Sequence, residues 1–395
     1  MAQSSDEKMR AWTGPALFSY GFRPFFLFGA IWAAFAMVLW ILMLAGALHL
    51  PTRLDPISWH AHAFLFGYLG AVMAGFLLTA VPNWTGRLPL VGWPLAALFA
   101  LWGAGRVAVL SSALLPPAVT ALVDLAFPVV LGAVILREII AGKNWHNLVV
   151  LGLLVMFTVS NGIFHFEAGR GDYAAQGVGL RLGLATAILM ISVIGGRIVP
   201  SFTRNWLARG GSGVRPAPPM RPYDKAVLLA SIPILLFWVA YPFTAVTAVC
   251  LLALGVLHLI RLFRWQGHHT IAEPLVWVLH VSYSFIPLGA FTLGATILME
   301  GTSSLAAQHL WMAGAIGAMT VAVMTRATLG HCGLELAASR ATCALYLSIF
   351  VSVAARLGAE IFPWLIHVSG VFWIAAFGGF VLAYGRLLIS RRVNG

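Results

Sequence analysis

The stretch WHAHAFLFGYLGAVMAGFLLTAV, residues 59–81, sets two imidazoles, His60 and His62, at the head of an apolar run without a charge. Neutral imidazole is a good donor to haem iron, copper and zinc. Without a polar partner in an apolar run it is costly. The chain has 12 histidines, most of them near the ends of other apolar runs. His165, His280, His309 and His331 join His60 and His62 as candidate metal ligands. His49, His258, His268, His269 and His367 read as hydrogen-bonded interfacial groups, and His146 falls between the two classes. On a helix, residues two apart are separated by about 200°, so His60 and His62 point to opposite sides. Either the helix begins after His60, or the pair serves two centres, or only one of them is a ligand. We expect His62 to hold an outer-side haem with His309 opposite. His60, nearer water, then binds copper, orients a haem propionate or sits at the interface.

The elements that must position these groups are membrane spans. The chain is 61% hydrophobic and 9% charged, against about half and about a quarter in soluble domains. A span needs about 20 apolar residues, and twelve runs qualify: 24–50, 60–81, 91–110, 116–140, 146–166, 178–199, 224–241, 243–262, 274–298, 305–325, 338–360 and 364–388. The expected fold is an all-α, polytopic transmembrane helical bundle of about 12 helices. Tyr241-Pro242 reads as a tight hairpin between the seventh and eighth. Of the 24 Lys and Arg, nineteen fall on one side of this topology. Four (Arg53, Arg170, Arg181 and Arg356) fall on the other, and Arg106 lies inside the third span. The positive-inside rule then puts both termini in the cytoplasm, and this placement argues against nucleic acid as the partner of a +12 chain. Residues 1–23 read as an N-terminal cytoplasmic segment without a cleaved signal peptide. Residues 24–207 and 226–388 read as six-helix halves, 208–225 as a basic linker and 389–395 as a tail. VPNWT (81–85), VPSFT (199–203) and the looser VMTRAT (323–328) end the second, sixth and tenth spans. They raise a pseudo-threefold repeat of four-helix units against simple interfacial chemistry.

This topology sorts the histidines by depth. His49, His60, His62, His165 and His309 fall toward the outer side; His146, His258, His280 and His331 fall toward the cytoplasmic side. His280 lies about 10 Å inside the ninth span at 1.5 Å per residue, so a metal bound there implies a second site. Arg197, Arg204 and Arg326 share its level, where they either pair with haem propionates or anchor the chain at an anionic leaflet. Asp124 and Glu138 are the main carboxylates expected inside spans, a scarcity that counts against a proton-coupled transporter.

Five stretches carry a family likeness: SYGFRPFFLFGAIW (19–32), WHAHAFLFGY (59–68), GFLLTAVPNWTGR (75–87), GGRIVPSFTRNWL (195–207) and HLWMAGAIGAMTVAVMTRATLGH (309–331). Through them the sequence resembles the NnrS family, polytopic membrane proteins of the bacterial nitric oxide response. The chain departs from the family pattern at 330–334, where Gly-His-Cys-Gly-Leu replaces Gly-His-Thr-Gly-Arg; Cys332 could add a soft copper ligand. The resemblance implies a multi-pass protein of the bacterial inner membrane that contains haem b, with copper as a further candidate. Nitric oxide would be its ligand or substrate, and a quinol or another membrane donor its electron source. A membrane-bound nitric oxide reductase is the leading expectation. A solute or metal transporter, or a sensor or assembly factor without catalysis, is the alternative. Haem–copper oxidases offer only a fold-level analogy, because the sixth span here has no histidine.

Overall fold

The computed structural model describes residues 12–86, 89–211, 213–299 and 305–391. Among them every regular element is helical, and twelve helices are long and apolar enough to cross a membrane. The first six are α1 (Phe22–Leu44), α2 (Pro56–Thr85), α3 (Trp93–Leu110), α4 (Pro117–Ala141), α5 (Trp145–Gly169) and α6 (Val178–Arg209). The second six are α7 (Pro222–Ala240), α8 (Ala245–Phe263), α9 (Pro274–Leu298), α10 (Leu305–Cys332), α11 (Arg340–Gly358) and α12 (Leu365–Ile389). This is a multi-pass membrane protein, and each expected apolar run corresponds to one helix. Tyr241 (φ −129, ψ 64) ends α7, which makes α7 and α8 separate helices. Of the cations that set the expected orientation, Lys8, Arg10, Arg87 and Arg392 lie outside the described residues. So do 1–11 and 392–395 of the expected terminal segments.

Local chemistry fixes where α2 begins. Asp55 accepts from the backbone N–H groups of Ile57 (3.0 Å) and Ser58 (2.9 Å), and Pro56 occupies the first turn. Such a cap satisfies donors that a helix start leaves open. The helix therefore starts ahead of His60, and both histidines stand on it. Gly86, with φ +66, closes the other end in the left-handed region.

Two helices leave regular α geometry. Ala63–Tyr68 in α2 and Leu310–Ala318 in α10 are π-helical, and each begins directly after a histidine, His62 and His309. A π turn widens the helix and disturbs its carbonyl ladder. In α2 two indoles serve that ladder. Trp32 Nε1 donates to the Ala63 carbonyl (2.9 Å) and Trp102 Nε1 to the Gly67 carbonyl (3.0 Å). In α10, Trp311 Nε1 donates to the Ile286 carbonyl of α9 (2.9 Å).

Burial has a period of four helices. The most apolar windows of α2, α6 and α10 are 83, 72 and 78% buried, whereas the other nine lie between 33 and 44%. The three segments that echo one another in sequence lie in the C-terminal parts of these same three helices. An apolar helix covered by protein all round is an inner helix, and a mostly uncovered one presents its surface to lipid.

The chain divides into two compact units. One comprises 1–183, 327–334 and 377–395; the other comprises 184–326 and 335–376. In the first, α1 packs on α2, α2 on α4, α3 on α4 and α4 on α5. In the second, α7 packs on α8, α8 on α9, α9 on α10 and α10 on α11.

Candidate functional site: a buried histidine–carboxylate cluster

In the first unit, three helices bring polar side chains to a carboxylate on a fourth. Asp124 of α4 is buried, and its Oδ1 accepts from Arg106 Nη2 of α3. Its Oδ2 accepts from Asn161 Nδ2 of α5 at 2.8 Å. The same oxygen lies 3.1 Å from His62 Nε2 and 3.0 Å from His165 Nε2. Asn161 and His165 stand four apart on α5 and so share a face. Pro128 follows Asp124 by four residues and has no N–H to donate to its carbonyl, which loosens α4 beside the cluster.

Arg106 gives the carboxylate a fixed charge partner, and a buried carboxylate requires one. An ionised Asp124 only accepts, so both Nε2 atoms donate to it when no metal is bound. His62 Nδ1 is then an acceptor, buried without a hydrogen-bond partner among the described residues. The His62 ring is held edge-on to His165 at 5.0 Å and tilted against Phe66 and Phe164, each at 5.4 Å.

Space exists on both sides of the cluster. A mouth lined by Arg53, Ser112, Thr120 and His165 lies at the ends of α3, α4 and α5. A second cavity lies past Asp124 between α2, α4 and α5, with Arg106, Asp124 and Asn161 at its polar end. His165 lines the first and Asp124 the second, and the two residues are in contact.

The remaining sequence candidates are spread over the fold. His60 stacks on Trp40 (4.5 Å) and lies 4.8 Å from Phe64, away from the neighbours of His62. His331 sits among the rings of Tyr20 (5.4 Å) and Phe22 (5.5 Å). In the second unit, His280 Nε2 lies 2.7 Å from Thr203 Oγ1, with Trp265 beside it. His309 Nδ1 donates to the Leu305 carbonyl at 2.7 Å, which leaves Nε2 as its lone-pair nitrogen. Arg326 lies over the Phe202 ring at 4.1 Å. Arg197 is on α6, where its carbonyl accepts from Ser201 Oγ. Among these candidates the structure brings His62 and His165 together.

The second unit holds a polar network that the apolar pattern of the sequence does not reveal. Asp224 of α7 is fully buried and accepts from Arg261 Nε of α8 at 2.8 Å. Arg261 Nη1 donates to the Ser192 carbonyl of α6 and to Tyr283 Oη of α9, both at 2.9 Å. His258 uses both ring nitrogens, toward Ser231 Oγ (3.1 Å) and Tyr283 Oη (2.9 Å). It is therefore a satisfied core group rather than an interfacial one. Asp224 looked like the end of the linker because it lies in the first turn of α7. Arg261, one of the nineteen cations on the basic side, stands in the last turn of α8. Pro222 just before Asp224 was the available sign that a helix begins there.

The match to known proteins extends over nearly the whole described fold. The family model described as NnrS protein covers residues 16–392. The chain belongs to the NnrS family. A search of curated proteins finds no match. Membership in NnrS fits a membrane protein of the nitric oxide response.

The donor set of this NnrS chain suits a single metal ion. Three ligand atoms of His62, Asp124 and His165 lie within 4.8 Å of one another and all are buried. An ion among them would take the place of the two Nε2 hydrogens, as metal binding does when it releases protons. Two imidazoles, which are borderline donors, with one hard carboxylate oxygen suit copper, iron or zinc. A haem macrocycle does not fit at His62, whose ring is closed in by Phe66, Phe164 and His165. His309 is the histidine presented in the manner of a metal ligand, since such groups commonly donate their other N–H to a carbonyl.

Proposed function

We propose that this NnrS-family protein binds and removes nitric oxide in the bacterial inner membrane, with His62, Asp124 and His165 holding a redox-active ion of the copper type. One observation carries the reading: two imidazoles and an arginine-paired carboxylate from separate helices meet in a buried place. A polar group inside a span is costly and usually functional. The bound ion would supply an open coordination position and a redox couple; haem b, if present, would take His309 through its free Nε2. The overall reaction is two nitric oxide molecules, two electrons and two protons giving nitrous oxide and water, with a quinol as the donor class. His165 lines the mouth and touches Asp124 Oδ2, so the ion would lie one side chain away from the mouth. Arg106 holds the other carboxylate oxygen and keeps Oδ2 directed at the histidines.

Metal analysis of purified protein from copper- and iron-replete cells tests this. Wild type should carry bound metal and consume nitric oxide anaerobically with a reductant. His62→Ala and His165→Ala should each lower metal occupancy by more than about 10-fold, while His60→Ala keeps it. Equal metal content in all four proteins would refute the assignment. Transport is the second reading, favoured by three buried carboxylates, Asp124, Glu138 and Asp224. Consumption of nitric oxide in detergent, where no gradient exists, separates the two.

The same reading places both termini in the cytoplasm, from the cation asymmetry of the connecting segments. A reporter fused after Gly395 that works only in the cytoplasm should be active. Activity of a reporter that works only in the periplasm would reverse the orientation.

A further inference from the structure

We propose that the cavity behind Asp124 is a docking chamber for one small neutral gas molecule on its way to or from the cluster. This inference rests on the nitric oxide reading for the identity of the gas, but not for the existence of the chamber. The chamber has room for about one water-sized molecule. Its wall is apolar, made by Phe66, Phe127, Leu131, Leu154 and Phe157. Polar atoms stand only at one end, where Asp124 and Asn161 already have partners and Arg106 keeps Nε and Nη1 without one among the described residues. Asp124 is taken up by Arg106, Asn161 and the two histidines, and Asn161 Oδ1 faces His62. A resident water needs two to four polar partners, and a mostly apolar wall offers it few. A neutral diatomic needs none, and cavities with apolar linings take up such guests.

Gly70 of α2 keeps the chamber open. It lies in the wall, and a Cβ built there would meet nothing nearer than Phe127 Cε1 at 3.9 Å. A side chain at this position therefore enters free space instead of displacing a neighbour. Pro128 also lines the chamber, and the hydrogen bond it removes from α4 loosens the helix on that wall. The π segment Ala63–Tyr68 supplies Phe66 from the facing side. The chamber touches the cluster through Asp124 and Asn161, so a gas held there sits next to the ligand atoms.

Krypton-pressurised crystals of the full-length protein, with and without bound metal, give the test. A krypton peak is expected between Phe66, Phe127 and Leu154 in wild type, with loss of that peak in Gly70→Ala and Gly70→Val. Ala suits a helix better than Gly, so Gly70→Ala is expected to fold. Both variants should keep wild-type metal content and should consume nitric oxide more slowly at low concentration, with the saturated rate unchanged. No krypton peak in wild type, a fixed water that the gas does not displace, or a peak that persists in Gly70→Val would each overturn the chamber. If wild type takes up krypton but neither binds metal nor consumes nitric oxide, the function fails while the chamber stands. The guest would then be another neutral gas.

Discussion

Replacing Asp124 by alanine leaves little folded protein in the membrane, whereas Asp124→Leu combined with Arg106→Met restores it. Arg106 and Asp124 are both buried, and the guanidinium lies against the carboxylate. Removing one member of a buried pair strands the other charge at a cost of about 3–5 kcal/mol. That is a large share of the roughly 5–15 kcal/mol by which folded proteins are stable. Removing both members with apolar residues of similar volume is often neutral. The measurement is the monodisperse yield and the thermal midpoint of each variant in one detergent. The double variant should recover the fold yet bind no metal, which separates the structural part of Asp124 from its part as a ligand. An Asp124→Ala protein as stable as its parent would show that the pair contributes nothing to the fold.

Gly196→Ala should be nearly as damaging, and Gly195→Ala, one residue away, should be mild. A methyl at Gly196 would overlap Arg261 Nη2, whose guanidinium is fully buried. The head group would have to leave Asp224, the Ser192 carbonyl and Tyr283 together. Breaking that set is again a matter of about 3–5 kcal/mol. A methyl at Gly195 would meet Tyr283 Cδ2 at 3.4 Å, an ordinary contact. Thermal unfolding of the two purified variants gives the contrast. Equal midpoints would mean that Arg261 has somewhere else to go.

The twelve helices were legible because lipid imposes one length and one composition on every span, and each run answered to those two properties alone. Even the hairpin at Tyr241-Pro242 could be read from its punctuation. The cluster was less legible. His62 and His165 were singled out for their apolar surroundings, and Asp124 for lying inside a span. Their meeting depends on how α2, α4 and α5 pack, and 62 residues separate His62 from Asp124. The spacing of Asn161 and His165 on one helix face was a local sign that the sequence did offer. Asp224 was harder to see for a different reason. A carboxylate in the first turn after a basic linker looks like a solvated helix start, and only the neighbouring helix shows that Arg261 and Asp224 are buried together. The π segments left no trace in the apolar pattern, since one extra residue per turn changes no composition.

The sequence distance between partners also fixes when each one becomes available during synthesis. Chains emerge from the N-terminus at about 5–20 residues per second. Asp124 follows Arg106 by 18 residues, so the cation lacks its carboxylate for about 1–4 s at that rate. The α3–α4 hairpin can then settle with its charge already matched. Asp224 and Arg261 lie on consecutive helices in the same way, 37 residues apart. His62 waits longer, because Asp124 comes 62 residues and Asn161 99 residues after it, about 3–12 s and 5–20 s later. The waiting times follow the order of cost in lipid. The guanidinium, which hydrocarbon tolerates least, waits the shortest time for its partner, and the neutral imidazole waits the longest.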